Sequence, residues 1–366
     1  MTDEDYMKQA LKLARRGRGK TSPNPMVGAI LVKDNRVIGQ GYHQRYGDNH
    51  AEINAFQSAR ESPSGATLYV TLEPCCHYGK TPPCVDEIIK KKIGKVVMGT
   101  LDPNPRVNGK SVAMLKQYGI ETKVGVLEEE CRNLNESHFK YMTTGLPLVT
   151  LKFAQTLDGR IATATGDSKW ISAEEFRRLA HQLRATHDAV LVGIDTVLAD
   201  NPQLTVRLVK GRNPTRVILD SQLRIPLDAE VIRSREAAHT IIATTPRGNK
   251  ERLAQLHQMG IEVLLTREDE SGEVDLKHLL RLLGERNISS VLVEGGAGVI
   301  TSFLRQDLAD RMFIAIAPKI MGKGIEAVGE LNVREVNQTI KLSFSKIHRV
   351  GEDLVIEARV NPPKRK

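Results

Sequence analysis

The chain reads as an α/β protein built from two domains. Apolar runs of strand length alternate with segments whose apolar residues recur at helical spacing, the pattern of layered α/β folds. Its 366 residues exceed what one hydrophobic core ordinarily serves. The alternation breaks near the middle, at YMTTGLPLV, where Gly145 and Pro147 separate a helical stretch from a new apolar run. The expected domains are therefore residues 1–145 and 147–366.

In the first domain, Met7, Ala10, Leu11 and Ala14 place an amphipathic helix over 3–16. MVGAILVK and RVIGQGYH, joined by Asp34-Asn35, read as two strands and a tight turn. A helix from Ala51 to Arg60 follows, then a β-rich run at 66–72, a short helix at CVDEIIKKK, a strand at KVVMGT, and helices over 110–118 and 127–141. The second domain opens with LVTLKFA as a strand and continues with a helix over 173–184 and strands over 188–193 and 215–219. A helix over 249–259, a strand over 261–265, a helix over 275–284, a strand over 290–293 and a helix over 298–306 come next. Strand-like runs near 311–317, 340–347 and 353–360 give it a more antiparallel end. No internal repeat or low-complexity segment interrupts either half.

Composition removes several classes of function. With 40% apolar and 27% charged residues, this is an ordinary globular chain. No apolar run approaches the length of a membrane span, and the acidic start MTDEDYMKQA is no secretory signal, so no membrane partner is expected. Four cysteines are too few for a disulfide framework. Cys75, Cys76 and Cys84 fall close together and read as metal-binding or catalytic in a reducing compartment, so a cytoplasmic location is expected; Cys131 stands alone as a plain thiol. A net charge of +9 raises nucleic-acid binding, but the cations are dispersed and aromatics make up only 4%, so no nucleic-acid partner is expected. The surplus suits phosphorylated small molecules, with KKK at 90–92 and the terminal PPKRK as solvated clusters.

The strongest chemical signal is His50-Ala51-Glu52 followed by Pro74-Cys75 and Cys84. Zn2+ takes imidazole and thiolate tetrahedrally; one His and two Cys leave a position for water, which the metal acidifies enough to supply hydroxide near neutral pH. Glu52 begins a helix two residues after the ligand and is expected to carry a proton from the water to a ring nitrogen and then to departing ammonia. Base deaminases pair this His-x-Glu with C-x-x-C, whereas the interval here is C-x8-C. Cys84 follows Pro82-Pro83 and opens a helix, whose N-terminus favours a thiolate. Two other readings remain open at this point: a closed structural site with Cys76 or His77 as fourth ligand, and a disulfide. In the second domain VEGGAGVITSF runs from a strand into a helix. Its glycines let backbone amides approach a phosphate, but the spacing is not G-x-G-x-x-G, and a plain strand–helix turn explains it equally well.

SPNPMVGAI, GYHQRYGDNHAE, TLEPCCHYGKTPPC and LDPNPRVNG resemble the deaminase half of the bifunctional riboflavin-biosynthesis deaminase–reductases, which carry the same long loop between their metal cysteines. The resemblance implies a cytidine-deaminase-like three-layer domain acting on a diaminopyrimidinone that carries a ribosylamino 5-phosphate. By motif match Asn24, His43, His77, Lys80, Asp102 and Asn104 line its site. Lys80 and His43 suit a phosphate, and Asn24 and Asn104 suit ring or ribose edges, although both asparagines precede proline and serve equally as turn formers.

LKFAQTLDGRIA, GDSKWIS, VGIDTVLADNPQLTVR, LDSQLRIP and VEGGAG resemble the reductase half of the same family. They imply a dihydrofolate-reductase-like domain that uses NADPH to reduce the ribosylamino group to ribitylamino. The cofactor contacts so implied are Ala154, Trp170, Thr196, Asp200, Ser221 and the turn Gly296, Ala297, Gly298, Val299, Ile300, Thr301 and Ser302. The implied substrate contacts are Ser168, Arg184, Leu204, Arg207 and Glu294. Arg184 and Arg207 suit a phosphate clamp, Asp200 or Glu294 a proton transfer, and Ser221 with Arg224 or Arg247 the cofactor 2′-phosphate. Trp170 either packs on the cofactor or fills the core. A homo-oligomer is expected. The rivals are a nucleic-acid or nucleotide deaminase with an appended reductase-like binding domain, and a non-catalytic nucleotide sensor.

Overall fold

The computed structural model describes residues 1–79 and 81–361, so Lys80 and the PPKRK cluster lie outside the described residues. The chain forms two compact units, Met1–Gly145 and a second beginning at Leu146. Among the described residues no helix is long and apolar enough to cross a membrane.

The first unit contains α1 (Asp3–Ala14), β1 (Gly28–Lys33), β2 (Arg36–Tyr42), α2 (Ala51–Gln57), β3 (Thr67–Val70), α3 (Cys84–Lys90), β4 (Lys95–Met98), α4 (Lys110–Gln117), β5 (Glu121–Val124), α5 (Glu128–Leu134) and α6 (Glu136–Thr144). A reciprocal cap starts α1: the Asp5 amide donates to the Thr2 hydroxyl and the Thr2 amide to the Asp5 carboxylate. The β1–β2 turn runs through Asp34 and Asn35 at φ 49° and 58°, the left-handed pair a tight hairpin demands. Strand order is β2-β1-β3-β4-β5, antiparallel across β2, β1 and β3 and parallel from β3 to β5.

Residues of β1 alternate between two cores. Ala29 and Leu31 meet Ala55 of α2, Val85 and Ile88 of α3, and Leu115 of α4. Ile30 and Val32 meet Met7, Ala10 and Leu11 of α1 and Cys131 of α5. Helices on both faces explain why GAILV is a continuous apolar run rather than an alternating one. Each fully buried leucine here contributes about 1.5–3 kcal/mol.

One helix was expected over 127–141. The chain instead breaks at Asn135, whose side chain accepts from the Met26 amide (2.7 Å) and donates to the Met26 carbonyl (2.9 Å). Those tertiary bonds hold Asn135 at φ −114°, ψ 28°, outside helical geometry, and no local pattern announces them. Strand β5 was also unexpected, because an exposed edge strand with sequence ETKV has no apolar alternation.

The second unit contains β6 (Leu148–Thr156), β7 (Arg160–Thr163), α7 (Glu174–Thr186), β8 (Ala189–Gly193), α8 (Ile194–Asp200), β9 (Thr215–Leu219), α9 (Glu230–Arg233), β10 (Thr240–Thr244), α10 (Lys250–Gln258), β11 (Glu262–Leu265), α11 (Leu276–Glu285), β12 (Ser290–Val293), α12 (Ala297–Arg305), β13 (Arg311–Ala317), β14 (Gly324–Glu326), β15 (Lys341–Val350) and β16 (Asp353–Asn361). Its main sheet runs β11-β10-β9-β8-β12-β6-β13-β16-β15. The first seven strands are parallel, and β16 and β15 close the sheet antiparallel. One face packs on α11 and α12, the other on α8, α9 and α10, and α7 lies against Ala315 and Val355. Elements β7, α8, α9, β10 and β14 were not expected. The short apolar run TIIAT of β10 is fully buried, and periodicity cannot separate so short a buried strand from a core helix segment.

Helix α2 lies close on the hairpin because β2 carries glycines. A Cβ at Gly41 would stand 2.4 Å from the Ala55 amide and 2.5 Å from the Ala51 carbonyl. Gly41→Ala must therefore displace the helix that carries His50 and Glu52. It is expected to lower stability by about 1–3 kcal/mol and to weaken metal retention, read by denaturant unfolding and by metal content after dialysis.

Candidate active sites

Two helix starts and one loop converge in the first unit. His50 is the N-cap of α2, in extended conformation (φ −70°, ψ 166°), with Glu52 in the first turn. Cys84 opens α3, and Cys75 lies in the loop after β3. His50 Nδ1 stands 3.5 Å from Cys75 Sγ and 3.3 Å from Cys84 Sγ, and the three ligand atoms all lie within 4.8 Å of one another. The Cys84 amide donates to Cys75 Sγ at 3.3 Å. One imidazole and two sulfurs fit a zinc ion with a coordination position to spare. Cys76 turns away toward the Arg106 carbonyl (3.5 Å), and none of the four cysteines is in a disulfide. Among the described residues the fourth-ligand and disulfide readings therefore find no support; His77 is outside the converging group.

The groups of the cluster perturb one another. Cys75 is pushed down to about 4, first by the hydrogen bond from the Cys84 thiol and then by His50 acting against burial. Cys84 is held well above its usual value by the Cys75 sulfur it bonds and by burial. Glu52 is buried, which raises its carboxyl despite the pull of His50, and its Oε2 has no hydrogen-bond partner among the described residues.

Around the cluster, His43 is buried with its ring 5.4 Å edge-on from His50. Its Nδ1 faces the Asn49 carbonyl at 3.0 Å and its Nε2 the Asn24 side-chain amide at 3.2 Å. Burial lowers its pKa, so it stands as a neutral ring with both nitrogens engaged and is no cation for a phosphate. Asn104 forms the turn that its place before proline allows: its amide donates to Asp102 Oδ1 and its Oδ1 accepts from the Arg106 amide. His77 is half-buried, and its Nδ1 has no partner among the described residues.

In the second unit Ser221, Glu294 and the Gly296 turn follow the C-terminal ends of parallel strands, where open α/β sheets hold their ligands, whereas Ser168 and Trp170 follow the antiparallel β7 and Leu204 and Arg207 follow α8. Gly193 ends β8, and Thr196 sits in the first turn of α8 with Asp200 exposed at its end. Ser221 follows β9, and Glu294 with the Gly295-Gly296 turn follows β12. A Cβ at Gly296 or Gly298 would meet nothing within 4 Å, so that side of the α12 start is open to a ligand, whereas one at Gly295 would strike Val299 at 2.7 Å. Ile300 is core and the Thr301 hydroxyl binds the Ala297 carbonyl and the Gly329 amide, so neither side chain faces a ligand. The Ser221 hydroxyl is engaged by Glu273 and by the Val274 amide. Leu204 is core at φ 54°. Ala154 packs beside Phe176, and Ser168 is half-buried. Trp170 is 65% exposed with the Arg177 guanidinium 4.1 Å from its ring centre, so it does not fill the core.

Glu294 is the centre of this second cluster. Arg184 grips it with two bonds, 2.6 and 3.0 Å, and Lys152 reaches it at 3.3 Å. Burial alone would raise its carboxyl, but the two cations hold it down at about 2. Arg207 donates its amide to His181 Nδ1, and burial with Arg184 and Arg207 nearby pushes His181 down to about 4.

Comparison with known proteins divides the chain along the same two units. Residues 1–100 match the cytidine and deoxycytidylate deaminase zinc-binding region, and residues 147–356 match the RibD C-terminal domain. The riboflavin biosynthesis protein RibD of Aquifex aeolicus strain VF5 is 48% identical over 97% of both chains. The chain belongs to the RibD family. RibD of Escherichia coli K12 is 38% identical, covering 97% of this chain and 99% of its own. The crystal structure of a diaminohydroxyphosphoribosylaminopyrimidine deaminase/5-amino-6-(5-phosphoribosylamino)uracil reductase from Thermotoga maritima superimposes with TM-score 0.85 at 42% identity, covering 98% of this chain and 99% of that one. Acinetobacter baumannii RibD (form 1) superimposes with TM-score 0.89 at 38% identity over the same shares. As a RibD-family protein the chain is a bifunctional enzyme of riboflavin biosynthesis, with a deaminase domain of the zinc-binding type and a reductase domain.

Several residues of these RibD-family sites escaped sequence reasoning. Glu73, buried, accepts from the amides of Asp102 (3.3 Å), Gly109 (2.9 Å) and Ser111 (3.1 Å), tying the cysteine loop to the Asp102 loop. Lys152 and His181 complete the Glu294 cluster. A lysine within the apolar strand run LVTLKFA was the available signal for Lys152; His181, on an amphipathic helix, offered none.

The Glu294 pairing makes a prediction with a definite sign. A carboxyl depressed to about 2 in the folded chain contributes stability above its unfolded value and loses it as pH falls toward about 2. The stability difference between wild type and Glu294→Gln, read by denaturant unfolding, is expected to be constant above pH ~5 and to shrink steadily from pH ~4.5 downward.

Proposed function

We propose that the first domain hydrolyses the exocyclic amine of diaminohydroxyphosphoribosylaminopyrimidine with zinc, and that the second reduces the resulting 5-amino-6-(5-phosphoribosylamino)uracil with NADPH, converting ribosylamino to ribitylamino. The observation that carries the reading is Glu52, a buried carboxylate two residues from His50 with an oxygen that no described residue satisfies. A structural zinc site has no use for such a group. Zinc would be held by His50, Cys75 and Cys84 and, when bound, would supply acidified water as the nucleophile. Glu52 would take the two protons the water loses in turn, giving the first to the ring nitrogen, which keeps it, and the second to the amine, so that ammonia departs as the C–N bond breaks and a carbonyl is left. Burial raises its carboxyl toward the range such shuttling needs.

Asn24, His77, Asp102 and Asn104 bind the substrate in this reading, and Lys80 takes its phosphate. Asn104 has spent Oδ1 on the turn and keeps its amide N–H groups. His43 holds the Asn24 amide rather than gripping an anion.

In the second domain NADPH, when bound, would supply the hydride. The Gly296–Val299 turn, Ala154, Trp170, Thr196, Asp200 and Ser221 would hold it. Ile300, from the core, and Thr301, through its hydroxyl, hold the helix start itself. Around Glu294 the cations Lys152, Arg184 and Arg207 outnumber the one carboxylate, a surplus that suits a phosphorylated substrate held also by Ser168 and the Leu204 backbone.

Purified protein given the diaminopyrimidine is expected to yield a product heavier by about one mass unit, as oxygen replaces the amine, and by about two more when NADPH is added. Glu52→Gln should retain zinc, lose deamination by about 10²-fold or more and spare the reductase, whereas Cys75→Ser should lose the metal. Wild-type deamination by Glu52→Gln would end the proton-shuttle assignment. Arg224 and Arg247, now paired with Asp195 and Glu268, follow β9 and β10 beside Ser221. Replacing both with Ala is expected to erode the preference for NADPH over NADH, measured as the ratio of kcat/KM values.

A further inference from the structure

His138 lies on α6, the last helix of the first unit, in no chemical motif of the sequence. It is 5% exposed, and its Nε2 stands 3.2 Å from Oδ1 of Asp102, itself 9% exposed. The other nitrogen, Nδ1, is buried and has no partner among the described residues. A histidine kept only to fill space or to satisfy itself would not be left half-bonded in a closed environment. Among the described residues the one polar side-chain contact of His138 is to Asp102.

The neighbours of Asp102 show what that contact does. The Asp102 amide donates to Glu73 Oε2, which holds the backbone. Oδ1 already accepts the Asn104 amide at 2.9 Å, so against the carboxylate Nε2 must be the donor and carry the proton. Two donors thus fix Oδ1 from one side and set the rotation of the carboxylate. Oδ2 receives no hydrogen bond from any described residue, yet it is not among the buried unpartnered atoms, so it remains open to a donor from outside the protein. The Asp102 loop is clamped by Glu73 to the loop bearing Cys75, and the Ser111 hydroxyl donates to the Pro74 carbonyl, so this oxygen is held in register with the metal cluster.

We infer that His138 is a positioning residue of the deaminase. It acts through Asp102, turning Oδ2 toward the substrate to receive an amine or hydroxyl N–H or O–H that the chemistry does not consume. This deepens the proposed function and rests on it, because it takes Asp102 as a substrate contact. Such a contact is uniform binding, present equally in ground and transition states, so its loss raises KM and leaves kcat nearly alone.

The test uses the full chain with zinc content measured for every variant. His138→Leu, which keeps bulk and removes the donor, is expected to raise the deaminase KM about tenfold with kcat within about twofold, one zinc per chain and normal reductase activity. His138→Gln places an amide N–H near the position of Nε2 and should restore KM to within about threefold. His138→Asn, too short to reach Asp102, should not. Asp102→Asn should raise KM, and adding His138→Leu to it should cost little more, because both changes act on one contact. If the Leu variant fails to fold, the comparison of Gln with Asn carries the same decision. Equal KM in all His138 variants while Asp102→Asn is impaired would overturn the inference and leave the substrate role of Asp102 standing. An unimpaired Asp102→Asn would instead remove that substrate role, and the inference with it.

Discussion

The chemistry of the first domain depends on one convergence, that of His50 Nδ1 with the sulfurs of Cys75 and Cys84. None of the three is brought there by its own element alone. His50 arrives as the extended residue before α2, Cys84 as the first residue of α3, and Cys75 on a loop leaving the sheet. Two helix starts supply partial positive charge where two sulfurs must be held as thiolates. The arrangement also explains how Glu52 can share a site with a ligand only two positions away. His50 has not yet entered the helix, so the rotation between the two side chains is not that of a regular turn. Gly41, over which α2 lies, and Glu73, which gathers three amides behind the cysteine loop, keep that convergence in place.

The second domain solves a different problem with the same kind of economy. Glu294 is a carboxylate largely withdrawn from water, its side chain 7% exposed, and breaking such a buried pair by removing one partner typically costs about 3–5 kcal/mol. Arg184 meets it with a two-pronged grip and Lys152 adds a second cation. A stability argument alone would replace the whole group with apolar residues. Glu294 lies just past the C-terminal end of β12, against Lys152 in the middle of β6 and close to the open glycines of the α12 start, on the side of the sheet where open α/β folds hold ligands. The arginine expected to clamp a phosphate is therefore first of all the partner of a carboxylate, and what it offers a ligand is the remaining N–H groups and the surplus of positive charge.

Much of this was legible in the chain itself. The division near Gly145, the α/β layering with its antiparallel end and the grouping of His50, Cys75 and Cys84 follow from residue type and spacing, whereas the three-layer character was implied by the family resemblance. Apolar periodicity reports burial, and ligand types report chemistry. What spacing could not show is instructive. The break at Asn135 comes from hydrogen bonds to Met26, more than a hundred residues away in sequence. The neutral state of His43, the occupation of the Ser221 hydroxyl by Glu273 and the exposure of Trp170 are equally matters of neighbours.

By itself the sequence determined the longer helices and the apolar strands, which side chains can ligate or carry protons, and to which family they belong, because those properties reside in short stretches of chain. Only the tertiary structure decided which polar groups are satisfied and which are left waiting: the spare oxygens of Glu52 and Asp102, the buried ring of His138, the commitment of Arg184 to Glu294. The physical reason is that hydrogen bonding inside a protein is a matter of pairing across distance. A donor's fate depends on what packing places opposite it, and that partner is rarely a neighbour in sequence.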